Sequence, residues 1–243
     1  YSASEGHILD FMNAGFSYDK NKPFIRDISF SIENGEFIGL LGPNGSGKST
    51  ILKLASWLLK ASCGDINLWG KPVQSYKNKD RAKLLSYLPQ ILDISIPFSV
   101  RELVGMGLYP YEISPALTVD ETIEMVGLAD KTESLIANLS GGERRRAYIA
   151  MTLLQGAGLL LLDEPLANLD IKYQIELLKL LKELQEKREI AVLMALHDIN
   201  IALQFKKIIL IKEGKVLSIG KPEVVLTEDL LKQAFDVEVE IRR

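Results

Sequence analysis

The sequence predicts an α/β fold with a mostly parallel sheet, an antiparallel β part early in the chain and an inserted helical segment. Three observations predict it. A strand with one wet face comes first, an apolar strand then runs through a glycine-rich loop into a helix, and the strand-then-helix order returns twice in the second half. A length of 243 residues allows one well-buried domain, and 47% hydrophobic with 25% charged residues excludes disordered and collagen-like chains.

Ile28, Phe30 and Ile32 alternate with Asp27, Ser29, Ser31 and Glu33, the period of a half-buried strand, and Asn34-Gly35 follows as a turn. This strand should pair antiparallel with a neighbour. Phe37 to Leu41 is apolar on both faces, as in a buried parallel strand. From Ser49, the residues Ile51, Leu54, Ala55 and Leu58 place one stripe on a helix. Between Gln90 and Leu139, Pro97, Pro110 and Pro115 interrupt helix-like segments, which predicts an inserted helical subdomain. A helix opening at Leu139 to Glu143 buries Ala147, Ala150, Met151 and Leu154. Leu159 to Leu162 precedes a helix near Ile171 to Lys187, and Ile190 to Leu196 precedes another from near Asp198. Ile208 to Ile211 and Val216 to Ile219 flank Lys212-Glu213-Gly214-Lys215 as a hairpin. With no internal repeat or long linker, the chain divides into a core over 7–90 and 139–220 that includes the antiparallel part, a helical segment over 91–138 and a tail over 221–243.

Lys plus Arg number 29 against 32 Asp plus Glu, too even a balance for a broad field that grips nucleic acid. On the same ground Lys77 to Arg81 and Arg144 to Arg146 read as solvated faces. No apolar run approaches the ~20 residues of a spanning helix, so any membrane link is expected to run through a partner. Cys63, the single cysteine, allows no internal disulfide and suits the reducing cytoplasm, a reactive thiol being the other reading. Tyr1 to Gly6 lacks the basic and apolar regions of a secretory signal.

The chemistry is concentrated in Gly42-Pro43-Asn44-Gly45-Ser46-Gly47-Lys48-Ser49, which has the phosphate-binding spacing G-x-x-x-x-G-K-[ST] between a strand and a helix. Glycines let backbone N–H groups turn toward phosphate oxygens, and the helix start adds partial positive charge. Lys48 bridges the outer phosphates and the Ser49 hydroxyl can ligate Mg²⁺. Asp163 and Glu164 end a buried apolar strand, where ligands sit in open α/β sheets. Asp163 can hold Mg²⁺ through its water, and Glu164 is the candidate general base for the attacking water. His197 also follows an apolar strand and is a candidate hydrogen-bond partner of the γ-phosphate, with Asp198 as a helix N-cap. Ser140 and Glu143 have the spacing of a capping box, a geometry equally suited to binding an anion, and spacing alone leaves both readings open.

In this order the motifs resemble the ATP-binding subunits of ABC transporters, over about Ile8 to Ile241. Gly42 to Thr50 matches the Walker A loop, Tyr87 to Gln90 the Q-loop and Leu139 to Glu143 the signature. Leu159 to Glu164 matches Walker B, Ala167 to Asp170 the D-loop and His197 the switch histidine. The resemblance implies a P-loop NTPase (RecA-like) core, ATP with Mg²⁺, and an ATP-dependent homodimer paired head to tail. In that pairing the P-loop of one copy faces the signature of the other, so that Ser140 and Gly142 act in trans, and Gly141 and Asp170 are further nucleotide-binding residues. It further implies that Tyr18 stacks on adenine and that Gln90 reaches Mg²⁺ and the water. Transmembrane permease subunits would dock behind Gln90 at the inner face of the cell membrane, with a substrate-binding protein engaged indirectly. Ser99 to Tyr111 and Gly220 to Ile241 look like importers of iron-siderophore, haem or cobalamin complexes, although Leu108 stands where those relatives usually carry Arg, and Glu143 where Gln is frequent. An exporter cassette, a soluble ABC ATPase acting on nucleic acid or ribosomes, and a non-hydrolysing switch are the alternatives. The presence of Lys48, Asp163, Glu164 and His197 together favours hydrolysis.

Overall fold

A computed structural model describes residues 6–19, 22–92, 97–111, 117–167 and 169–236. Of the sequence readings, Pro115, Asn168 of the D-loop, the end of the tail and the first five residues fall outside that set. In chain order the elements are β1 (His7–Phe16), β2 (Ile25–Glu33), β3 (Phe37–Leu41), α1 (Lys48–Ala55), β4 (Cys63–Leu68), β5 (Lys71–Pro72), α2 (Asn78–Leu84), β6 (Leu85–Leu88), α3 (Val100–Gly105) and α4 (Val119–Met125). They continue with α5 (Gly141–Leu154), β7 (Leu159–Asp163), α6 (Ile171–Arg188), β8 (Ala191–Leu196), α7 (Ile199–Ala202), β9 (Lys207–Lys212), β10 (Lys215–Gly220), α8 (Pro222–Val225) and α9 (Glu228–Phe235). The chain forms two units, one of Tyr1–Ser75 with Ala191–Arg243 and one of Tyr76–Ile190. The helical segment expected over 91–138 lies within the second.

In the first unit β2, β1, β4 and β5 form an antiparallel sheet in that order. Ile28, Phe30 and Ile32 are buried on one face of β2, and Phe30 stacks on Phe11 of β1 with ring centroids 4.7 Å apart. The antiparallel partner anticipated for this strand is therefore β1, in the register Phe11 opposite Phe30. The unit's other strands are ordered β10, β9, β3, β8. β3 runs parallel to both β8 and β9, and all five of its residues are buried. Burying a Leu or Ile contributes about 1.5–3 kcal/mol, so a strand apolar on both faces is stable only inside a covered sheet. β9 and β10 form the anticipated hairpin, closed by Glu213 (φ 49°) and Gly214 (φ 74°), whose successive left-handed residues match the strand twist.

One stripe residue departs from expectation. α1 stops at Ala55, where Trp57 turns left-handed (φ 61°) and the N–H groups of Leu58 and Leu59 bond back to the Lys53 carbonyl. Leu58 consequently lies past the helix and is 62% exposed rather than part of its buried stripe.

The second unit pairs β6 with β7 in parallel, Leu85 opposite Leu159 and Leu88 opposite Leu162. The anticipated helices appear as α5 and α6; on α5, Ala147, Ala150 and Leu154 are buried, whereas Met151 is half-buried. α3, α4 and α5 each begin with a complete capping box, formed by Ser99 with Glu102, Thr118 with Glu121 and Ser140 with Glu143. Among the described residues no helix is long and apolar enough to cross a membrane.

Candidate functional site

The phosphate loop leaves β3 at Leu41 and enters α1 at Lys48 through Gly47, whose φ of 108° only glycine adopts without strain. A Cβ on Gly47 would also come within 2.6 Å of Ile25 Cδ1. No side chain caps α1 at this position, so the helix start is directed at whatever the loop encloses. Lys48 is only 5% exposed, and its Nζ donates to the carbonyls of Gly42 (2.7 Å) and Pro43 (3.1 Å) across the loop. Ser46 is buried, and its Oγ has no hydrogen-bond partner among the described residues. A buried hydroxyl without a partner costs free energy, and a phosphate oxygen is the acceptor that this loop chemistry fits. The carbonyl of Ser46 is fixed by the Gly214 N–H at 2.9 Å.

Two further predicted residues belong to the same unit. Tyr18 is 63% exposed, shares a 2.9 Å hydrogen bond between its hydroxyl and Thr50 Oγ1, and meets Phe16 and Phe24 edge-on. Its ring therefore has a face available for a planar base. His197 is exposed just beyond β8, which lies beside β3, so it emerges at the end of the strand neighbouring the phosphate loop. Asp198 accepts from the N–H groups of Asn200 (2.7 Å) and Ile201 (3.4 Å) and caps α7, as anticipated.

The second unit holds the acidic residues. Asp163 ends β7 at 2% exposure and accepts a long hydrogen bond from the Tyr87 hydroxyl at 3.4 Å. Glu164 follows with φ 48°, a left-handed conformation that costs a non-glycine residue about 1–2 kcal/mol. Such strain accumulates where a side chain must be aimed. Because β6 and β7 are neighbours, their exits are adjacent, and Gln90 Nε2 donates to Glu164 Oε2 at 2.9 Å. The Q-loop glutamine and the candidate base thus form one hydrogen-bonded pair. Among the described residues no three His, Cys, Asp or Glu side chains form a group able to hold a metal ion. A cation here would need water and phosphate oxygens to complete its shell, the arrangement Mg²⁺ prefers.

Ser140 caps α5 in the way its sequence anticipated. Its Oγ accepts from the Glu143 N–H at 3.2 Å while Glu143 Oε2 accepts from the Ser140 N–H at 2.9 Å. The Ser140 backbone holds the Glu143 carboxyl below its ordinary pKa, assisted by the Ser140 side chain and by Lys131 and Arg146. Gly141 and Gly142 are not demanded by the packing of this chain. A Cβ on Gly141 would meet nothing within 4 Å, and one on Gly142 would make an ordinary 3.4 Å contact with Leu169 Cδ2. At these first two positions of α5, therefore, no steric need for glycine is found among the described residues. Asp170 is exposed at the N-cap of α6 without a side-chain capping bond.

The reading of Arg144 to Arg146 as a solvated face is corrected here. Arg145 is 5% exposed and donates to the carbonyls of Pro89 (3.3 Å) and Gln90 (3.1 Å). Arg144 donates to Ile136 (3.3 Å) and Leu139 (2.9 Å), and Arg146 to Val126 (2.8 Å) and Gly127 (3.0 Å) while stacking on Tyr173 at 4.3 Å. Guanidinium groups present several rigid donors, so they satisfy carbonyls left over at chain turns rather than facing water. Lys77 and Lys79, by contrast, are exposed as expected.

The family model described as ABC transporter matches residues 25–167. The petrobactin import ATP-binding protein of Bacillus anthracis is 41% identical over 225 residues, 89% of this chain and 83% of that protein. The iron(3+)-hydroxamate import ATP-binding protein of Bacillus subtilis is 39% identical over 229 residues, 91% of this chain and 85% of its own length. Among solved structures, a dimeric ATP-binding cassette in a post-hydrolysis state bound to ADP and Pi superposes with a TM-score of 0.79 at 26% identity, covering 88% of this chain and 98% of that one.

Proposed function

This chain belongs to the ABC transporter family as one of its ATP-binding, ATPase subunits, and we propose that its hydrolysis powers import of a metal chelate of the iron-siderophore, haem or cobalamin type through separate permease subunits. Petrobactin import and iron(3+)-hydroxamate import are what the names of the two Bacillus relatives state of those proteins. In this reading the chain binds peripherally at the inner face of the cell membrane, and a substrate-binding protein delivers the chelate. Ser99 to Tyr111 and Gly220 to Ile241 are the segments that favour import over an exporter cassette.

Each residue then has a role in one reaction. Tyr18 stacks on the adenine. The loop Gly42 to Ser49 and Thr50 cradle the phosphates, with Lys48 exchanging its loop carbonyls for phosphate oxygens. Ser49, Gln90 and Asp163 are the residues that would hold Mg²⁺, which would supply charge neutralisation at the phosphate oxygens. Gln90 aligns the attacking water and Glu164 accepts its proton as the water oxygen bonds to the γ-phosphorus. The bond from that phosphorus to the bridging oxygen breaks, releasing ADP and inorganic phosphate. His197 hydrogen-bonds the departing phosphoryl group.

The observation that carries the paired-copy part of the reading is the glycine-bearing start of α5, for which packing among the described residues gives no steric reason. Ser140, Gly141 and Gly142 of one copy complete the ATP site of the other, with Asp170 beside them, so ATP closes the dimer and hydrolysis opens it. The transport reading is tested by purifying the chain with its membrane subunits into vesicles and supplying the binding protein loaded with ferric hydroxamate, haem or cobalamin. ATP-dependent accumulation of one of the three is expected, and it is lost with Glu164→Gln. Uptake of none, or movement in the opposite direction, contradicts it.

A further inference from the structure

We propose that Arg145 is a positioning residue for hydrolysis, tying the signature helix to the backbone of the glutamine that aligns the general base. The inference rests on the ATPase reading above and adds to it a residue outside the motifs that define that reading.

Arg145 lies on α5, five residues after Ser140, and its side chain crosses to the end of β6, 55 residues earlier in the chain. There it bonds two successive carbonyls, Pro89 at 3.3 Å and Gln90 at 3.1 Å. From the same residue the Gln90 side chain bonds Glu164 at 2.9 Å. A continuous series of polar contacts thus runs from α5 through Arg145 and the Gln90 main chain to Glu164. Removing the guanidinium frees the peptide units on either side of Gln90, and rotation there swings its amide away from the carboxylate. A displacement of about 1 Å at a reacting group is enough to cost on the order of a hundredfold in rate.

Space filling does not account for this arginine. Burying a guanidinium carries a desolvation cost that a methionine of similar volume avoids. Burial pulls the Arg145 pKa below its ordinary value, and the nearby Asp163 and Glu164 carboxylates oppose that shift. The same side chain therefore fixes the main chain beneath Gln90 and offsets the two carboxylates.

The test compares the full unsubstituted chain with Arg145→Met and Arg145→Lys in steady-state Mg–ATP hydrolysis, nucleotide-binding titration and thermal melting. Arg145→Met is expected to lower kcat by tenfold or more while KM and the ATP Kd stay within about threefold. Arg145→Lys keeps the charge and re-forms one of the two bonds, so its kcat falls between the other two. An unchanged kcat in Arg145→Met overturns the inference. A parallel loss of kcat, ATP affinity and melting temperature in both variants overturns it too, since a merely structural arginine behaves in that way. If Arg145→Met does not fold, Arg145→Lys decides alone: reduced kcat at unchanged Kd supports the inference, and unchanged kcat refutes it. No hydrolysis by the unsubstituted chain refutes the ATPase reading itself and this inference with it, an outcome distinct from equal rates in all three proteins.

Discussion

Gly214→Ala tests whether the β9–β10 hairpin supports the phosphate loop. Gly214 has φ 74°, its N–H holds the Ser46 carbonyl at 2.9 Å, and its own carbonyl accepts from the Arg26 N–H at 2.8 Å. A Cβ at this position would overlap the Phe24 carbonyl oxygen, a backbone atom that cannot swing aside. Left-handed alanine costs about 1–2 kcal/mol, and moving the turn off Phe24 sacrifices at least one backbone hydrogen bond at about 1 kcal/mol. The sum, about 2–3 kcal/mol, corresponds to a fall in melting temperature of about 4–12 °C for a chain of this size. ATP affinity falls with it, because Ser46 loses its anchor. Gly105→Ala is the matched control: it ends α3 with an ordinary φ and open space around it, so alanine there is expected to stabilise by about 0.4–1 kcal/mol. Differential scanning fluorimetry and nucleotide titration read both variants. A Gly214→Ala protein that melts within 2 °C of the parent, by the same conversion less than about 1 kcal/mol, refutes the reasoning.

Glu164→Gln keeps the size of the side chain and can still meet Gln90, but cannot take a proton; phosphate release should drop about 10²–10⁴-fold with the ATP Kd within threefold, and a loss under tenfold contradicts its role as base. Arg144→Met takes its donor from the Leu139 carbonyl and one of two from the Ile136 carbonyl, which keeps the Leu139 N–H at 3.3 Å, so thermal unfolding should show a loss of about 1–3 kcal/mol, whereas a solvated arginine would show almost none. Glu102, Glu121 and Glu143 are each held below the ordinary carboxylate value, first by the backbone N–H of their N-cap partners Ser99, Thr118 and Ser140. Carboxylates with depressed folded-state pKa values contribute stability that is full above the unfolded value, about pH 4.3, and is lost as the pH falls through the folded one. Replacing Glu102, Glu121 and Glu143 together by glutamine removes the titrating groups and should flatten the acid limb of the stability curve, and an unaltered limb in urea titrations argues against the boxes.

The elements that sequence alone made legible are those whose signal is local. Alternation marked β2, unbroken apolar runs marked β3, β7 and β8, and turn residues marked the hairpin, because each pattern reports the face or turn its own residues occupy. The capping box at Ser140 was equally local. What stayed hidden depends on partners distant in sequence or on backbone conformation. Leu58 fitted the helical period, but a left-handed Trp57 ended the helix before it. The three arginines looked solvated because sequence shows their charge and not the carbonyls, up to 56 residues away, that receive them. The candidate site was legible as motifs, whereas the Gln90 contact with Glu164 required the register of β6 against β7. A triple arginine just after a capping box was the one available hint of Arg145, and it points to no acceptor.

The central claim is that the start of α5 in one copy finishes the nucleotide site of another. Mixing two inactive chains tests it, one carrying Lys48→Ala and the other Ser140→Arg. If sites are shared, a mixed pair contains one whole site, formed by Lys48 from one chain and Ser140 from the other, and phosphate release from the mixture rises well above that of either variant alone. If each chain completes its own site, the mixture only averages the two and no activity returns.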